Sequence, residues 1–133
     1  LKTLIVEDNA TFRKAFSDVL KDLFPAMRIE EAANAKEALD KARGFAPDLI
    51  FMDIRLGQQN GLELTKKIRQ DDSKATIVVL TDYNLPEYRE AAFQCGADDF
   101  VVKGSLNLPA VKALIQSISS DKNLGIKAGR WSR

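Results

Sequence analysis

At 133 residues, 45% hydrophobic and 29% charged, the chain has the size and balance of one soluble globular domain able to bury a core. A formal net charge of +1 gives the molecule no overall pull toward nucleic acid or membrane. It contains no histidine, which excludes a histidine-based zinc site, a Ser-His-Asp triad and an internal phosphohistidine, so chemistry must come from carboxylates, hydroxyls, lysine and bound ions.

In chain order, Leu4-Ile5-Val6 reads as a buried strand. Apolar residues at Phe12, Phe16, Val19, Leu20 and Leu23 then mark one face of a helix, stopped by Pro25. Met27 to Ala32 reads as a second strand, weakened by Arg28 and Glu30, and a helix with Ala35, Ala38, Leu39 and Ala42 on one side ends at Gly44. Leu49-Ile50-Phe51-Met52 is a continuous apolar run, expected of a strand covered on both faces. Leu64 and Ile68 anchor a helix beginning near Gly61, and Ile77-Val78-Val79-Leu80 is another fully buried strand. Pro86 suits the first turn of a helix reaching about Cys95, with Gly96 as its cap. Phe100-Val101-Val102 is the fifth strand, and Leu108, Val111, Leu114, Ile115 and Ile118 line the last helix. Five strand–helix units with short links predict an α/β fold, a parallel sheet with helices on both faces.

Residues 1–120 are expected to form this domain. Asp121 to Arg133 is expected to be a polar tail or the start of a linker, and the start at Leu1 rather than methionine suggests a trimmed chain that has lost a neighbouring domain. Within the tail, Lys122, Lys127, Arg130 and Arg133 flank Trp131, a composition compatible with nucleic-acid contact but more often that of a linker. The single Cys95 forms no internal disulfide, which suits a cytoplasmic setting. No apolar run approaches the roughly 20 residues of a membrane span, and no signal peptide is visible.

The charged residues fall at the strand ends. Glu7-Asp8 follows the first strand, Asp53 ends the third, Thr81 the fourth and Lys103 the fifth. Strand C-termini of a parallel sheet share one edge, where ligands of open α/β sheets bind. Three carboxylates there repel one another by about 3 kcal/mol per pair at roughly 5 Å and an effective dielectric near 20. A hard divalent cation such as Mg²⁺ removes that cost. Asp53 is then an oxygen nucleophile toward phosphorus, with Thr81 and Lys103 to hold the other phosphoryl oxygens. Singly, each residue has a plainer structural role: a helix cap for the acidic pair or Thr81, a turn for Asp53, a solvated surface position for Lys103. Together, in this order, they point to acyl-phosphate chemistry.

The chain resembles the receiver domain of two-component response regulators over about residues 2 to 120. The resemblance is carried by Leu4-Ile5-Val6-Glu7-Asp8, Leu49-Ile50-Phe51-Met52-Asp53-Ile54-Arg55, Asn60-Gly61-Leu62-Glu63, Val79-Leu80-Thr81 and Gly96-Ala97-Asp98-Asp99-Phe100-Val101-Val102-Lys103. It implies a doubly wound, flavodoxin-like (βα)5 fold with a five-stranded parallel sheet of order 2-1-3-4-5, an order taken from that class of fold. It implies Asp53 as phosphoacceptor, with Glu7, Asp8, Asp53 and the backbone carbonyl of Arg55 as ligands of Mg²⁺ or Mn²⁺. Thr81 is implied as switch hydroxyl, Lys103 as phosphoryl-binding lysine and Phe100 as switch aromatic, with core packing as the other reading of Phe100. The phosphoryl donor, a sensor histidine kinase, phosphotransfer protein or small phosphodonor, must act in trans because the chain has no histidine. The domain would catalyse its own phosphorylation and dephosphorylation as a signalling module rather than as a metabolic enzyme. The surface of the fourth helix, fifth strand and fifth helix, with Tyr88, Arg89, Lys112 and Gln116, is the expected site of homodimerisation or partner docking, and direct nucleic-acid binding by this domain is not expected. Phe12-Arg13 and Lys103-Gly104-Ser105 are most similar to receivers joined to LuxR-type helix-turn-helix domains.

Two positions depart from the family pattern. Gly57, with Gln58-Gln59, replaces a usual proline and predicts a more mobile loop beside Asp53. Asp82 stands where a small residue is usual, and is expected to slow phosphorylation or change phosphoryl lifetime, or to pair with Arg55 or Lys103. Three rivals compete: an aspartyl-nucleophile phosphatase or phosphotransferase, which lacks a second acid because residue 55 is Arg; a flavin module, whose phosphate loop Glu7-Asp8-Asn9-Ala10 would repel; and a pseudo-receiver that binds partners without phosphorylation.

Overall fold

The computed structural model describes residues 1–71 and 74–124, with side chains through residue 120. Its elements are β1 (Lys2–Val6), α1 (Ala10–Leu23), β2 (Arg28–Ala32), α2 (Ala35–Gly44), β3 (Leu49–Met52), β4 (Arg55–Leu56), β5 (Gln59–Asn60), α3 (Gly61–Asp71), β6 (Thr76–Thr81), α4 (Pro86–Gln94), β7 (Asp99–Val102) and α5 (Leu108–Leu124), with a short 3-10 turn over Lys103–Ser105. Five strands form a parallel sheet in the order β2-β1-β3-β6-β7, as expected with β6 and β7 as the fourth and fifth main strands.

Strand residues alternate between two apolar layers, as the period of two requires. Leu4, Val6, Ile50, Met52 and Ile77 pack with Ala38, Leu64 and Ile68 of α2 and α3. Ile5, Phe51, Val78 and Leu80 pack on the other face with Phe16 and Leu20 of α1 and Ile115 and Ile118 of α5. A smaller cluster of Ile54, Leu62, Val79, Ala92 and Phe100 lies under α4. β2, the strand weakened by Arg28 and Glu30, takes an edge and pairs with β1 alone, so its polar residues reach solvent.

Local signals set the helix starts. Asn9 caps α1 by accepting from the Phe12 N–H (3.0 Å), and Asn34 caps α2 by accepting from the Glu37 N–H (2.9 Å) while Glu37 accepts from the N–H of Ala33, one residue before the cap. That backbone bond holds the Glu37 carboxyl below its ordinary range. α4 begins at Pro86 with no side-chain cap, and Leu85 before it is 46% exposed.

α2 ends at Gly44 as expected, and the chain then passes through Ala46 at a left-handed φ of 50°. Two details differ from the sequence reading. Leu108 is 55% exposed, being the first residue of α5 rather than part of its buried line. The backbone of α5 continues through Leu124, into the stretch read as tail. The rest of that stretch, with Trp131 and its basic neighbours, lies outside the described residues.

Candidate functional site

The register of the parallel sheet brings four chain segments to one level. Val6 pairs with Met52, Met52 with Val79 and Thr81 with Val102, so Glu7, Asp53, Thr81 and Lys103 all stand at the C-terminal edge. The ladder carries on one residue past the strands: Glu7 N–H donates to Ala32 O and Asp53 N–H to Val6 O, both at 3.0 Å. This fixes the main chain beneath both carboxylates.

Glu7 is 2% exposed and Asp53 8%, while Asp8 is exposed. One carboxylate oxygen from each lies within 4.8 Å of the other two. Such an all-oxygen acidic set suits a hard cation of the Mg²⁺ class and not a soft one. Lys103 reaches the same point from β7, its Nζ 2.5 Å from Glu7 Oε1 and 3.5 Å from Asp53 Oδ2. Burial pushes the Glu7 carboxyl up to about 7, a rise the Lys103 ammonium only partly offsets and the Asp53 charge reinforces. Burial, the largest single influence on Lys103, lowers its affinity for a proton, but the hydrogen bond to Glu7 and the charges of Asp53, Glu7 and Asp82 together outweigh it and push the group up.

These directions give a pH dependence. A carboxyl whose folded value is raised from 4.5 to about 7 contributes stability in full below pH 4.5 and loses it as pH rises through 7. Lys103 stays protonated across that window and adds no slope. The metal-free protein is therefore expected to be less stable at pH 8 than at pH 5.5, by at most about 2 kcal/mol. Denaturant midpoints at the two pH values check this. Glu7→Gln should flatten the difference, and an undiminished difference in that variant would overturn the assignment to Glu7.

Thr81 is fully buried at the end of β6, and its Oγ1 accepts from the Tyr83 N–H at 3.2 Å, which leaves the hydroxyl proton free for an acceptor. Phe100 is 5% exposed and packs in the cluster under α4, with the Arg89 guanidinium 5.8 Å from its ring centre. Asp82 takes up neither expected ion pair: Arg55 instead lies over the Tyr83 ring at 5.0 Å, and Lys103 is held by Glu7 and Asp53. The loop expected to be loosened by Gly57 is a two-residue hairpin between β4 and β5, which pair Arg55 with Asn60 and Leu56 with Gln59. Gly57 supplies the φ of +64° that such a turn demands, and its N–H donates to Asp8 Oδ2 at 2.8 Å. Gln59 Oε1 accepts from the Ala35 N–H at 3.0 Å, tying the hairpin to α2.

Two residues that matter here had no role assigned from sequence. Arg13 Nη1 donates to the Glu7 carbonyl (2.7 Å) and its Nε to Glu31 Oε1 (3.0 Å), clamping the main chain of the acidic pair from behind. The available signal was an arginine one turn into the helix after the acids. Gly61 sits so close to Asp53 that a Cβ on it would lie 1.8 Å from the Asp53 carbonyl oxygen. An apolar cavity of about 570 Å³ lined by Leu1, Phe24, Met27 and Ile115 lies at the opposite edge of the sheet and brings no reactive groups together.

Comparison with known proteins gives a consistent picture. Residues 3–116 match the family described as response regulator receiver domain. The chain is 35% identical over 103 residues to the chemotaxis protein CheY of Bacillus subtilis, covering 77% of this chain and 84% of that protein. It is 37% identical over 106 residues to a protein-glutamate methylesterase/protein-glutamine glutaminase of Geobacillus kaustophilus, covering 79% of this chain but only 30% of that longer protein. Among solved structures, a response regulator protein from Burkholderia pseudomallei with a phosphorylated aspartic acid, calcium ion and citrate superposes with a TM-score of 0.76 at 25% identity, over 92% of this chain and 74% of that one.

Proposed function

The chain belongs to the receiver-domain family of two-component response regulators, and we propose that it accepts a phosphoryl group on Asp53 from a histidine kinase, a phosphotransfer protein or a small phosphodonor. The observation that carries this reading is the convergence of Glu7, Asp8 and Asp53 with the Lys103 ammonium on one buried point. An Asp53 carboxylate oxygen forms the new bond to phosphorus while the bond from phosphorus to the donor breaks, the leaving group keeping its electron pair. Such a transfer asks for positioning and charge neutralisation above all. Lys103 supplies a fixed positive charge beside Asp53, and the Thr81 hydroxyl a proton for a phosphoryl oxygen. Glu7, Asp8, Asp53 and the backbone carbonyl of Arg55 would hold Mg²⁺ or Mn²⁺, which when bound neutralises the carboxylates and phosphoryl oxygens.

The signal leaves through Thr81 and Phe100. Phosphorylation adds nearly two negative charges at the sheet edge, drawing in Thr81. Phe100, buried under the uncapped α4, then repacks and changes the surface formed by α4, β7 and α5. That surface would mediate homodimerisation or partner docking, and the signal would pass to an output domain or partner.

Intact mass after incubation with phosphoramidate tests the reading. One added phosphoryl group is expected with Mg²⁺ present, none with chelator and none in Asp53→Ala. The phosphorylated sample is expected to sediment faster than the unmodified one. Absence of any adduct on folded wild-type protein would replace the reading with that of a binding module independent of phosphorylation, and unchanged sedimentation would remove the dimer alone.

A further inference from the structure

Phe12 stands four residues beyond Asp8 on α1, and its ring centre lies 4.4 Å from Lys103 Nζ, well inside the roughly 6 Å over which a ring face attracts an ammonium. Lys103 is thus faced by Glu7, Asp53 and an aromatic ring. The ring is itself held. It stacks on Phe16 at 5.7 Å and 14°, and Phe16 meets Phe51 edge-on at 4.9 Å and 87°. Phe51 is buried in β3, two residues before Asp53. A row of three rings therefore ties the seat of the ammonium to the strand that carries the carboxylate. The gap left between Phe12, Phe51, Glu7, Asp53 and Leu80 is too small for water. The ring covers one side of the ammonium. A lysine ammonium is strongly hydrated and its four-carbon stem flexible, so a ring in that place both aims the charge and keeps it unscreened.

We propose that Phe12 is a positioning residue for phosphoryl transfer to Asp53, acting through Lys103, whose ammonium its ring face holds toward the carboxylates. The inference rests on the reading of Asp53 as the acceptor. Lys103 stays protonated throughout the transfer and meets the charge on the moving phosphoryl oxygens. An aliphatic side chain of similar size would fill the same space beside Phe16 but present no negative ring face, so aromaticity separates this role from packing.

The test compares Phe12→Leu, Phe12→Met and Phe12→Tyr with wild type, using phosphoramidate at saturating Mg²⁺ and reading the rate by intact mass. Calorimetry reads Mg²⁺ affinity in the same proteins. The Leu and Met variants are expected to be phosphorylated about 10-fold more slowly and the Tyr variant at close to the wild-type rate. Mg²⁺ affinity should not fall in any of them, because Phe12 offers no ligand to a metal and a less firmly held Lys103 competes less for Glu7. Loss of rate in all three variants, or in none, overturns the proposal. So does a parallel loss of Mg²⁺ affinity in the aliphatic variants, which marks damage to the fold. Wild-type protein that takes up no phosphoryl group overturns the assignment of Asp53 first and removes the role of Phe12 with it.

Discussion

Lys103→Met is expected to slow phosphorylation of Asp53 by about 100- to 1,000-fold, the cost of removing one preorganised charge from a water-poor site, while tightening Mg²⁺ binding. The two effects share one cause. Lys103 Nζ sits within hydrogen-bonding reach of Glu7 and close to Asp53, so in the metal-free protein it is the counter-ion of the carboxylates. A divalent cation must compete with it for Glu7. Methionine keeps the stem that passes Phe12 but has no charge, so the acidic cluster becomes more negative and gains about tenfold in Mg²⁺ affinity by the ordinary arithmetic of charges at these distances. The transferring phosphoryl group meanwhile loses its fixed positive partner. Calorimetry for the metal and intact-mass kinetics for the transfer read the two separately. Opposite movements support the electrostatic role, whereas a joint fall would mean that Lys103 is chiefly a structural pin.

Gly61→Ala is expected to cost about 3 kcal/mol or more in stability and to displace Asp53 from Glu7 and Lys103. A methyl group there would lie 1.8 Å from the Asp53 carbonyl oxygen, 2.8 Å from its carbon and 3.0 Å from Ile54 Cα, all main-chain atoms. No side-chain rotation relieves such a clash, so either α3 retreats or the chain at Asp53 moves. Gly61 N–H also donates to Ile54 O at 2.6 Å, so retreat breaks the link that docks the helix start on the strand end. Gly57→Ala is the informative control: nothing lies within 4 Å of its Cβ, and its cost, about 1 kcal/mol, comes only from the positive φ. Denaturant unfolding of both variants checks the ranking. A Gly61→Ala protein within 1 kcal/mol of wild type would show that the approach of α3 to Asp53 is not what sets the site.

The order of the main strands and helices was legible because buried parallel strands are written as unbroken apolar runs, and the carboxylates because they follow those runs directly. The β4–β5 hairpin was not. Two residues on each side are too few for an alternating pattern, and Gly57 carries the same letter whether it loosens a loop or supplies a left-handed turn. The clamp of Arg13 on the Glu7 carbonyl was equally hidden, since a bond to the main chain leaves no complementary residue type to find. The continuation of the α5 backbone through Leu124 left no signal for a different reason. Its last turns have no apolar stripe, but neither do they contain proline or glycine before Gly125 to stop a helix already under way. The pairing of Asp82 failed because Arg55 and Lys103 had better partners, an aromatic ring and a buried carboxylate, than an exposed acid could offer.

The bond between Glu7 and Lys103 spans 96 positions of the chain. All three carboxylates are made within the first 53 residues, on β1 and β3, which are adjacent in the sheet, while the cation that balances them follows β7. A chain made from its N-terminus therefore completes its acidic set about 50 residues before the lysine that pairs with it, and until then leaves open the β3 edge on which β6 docks.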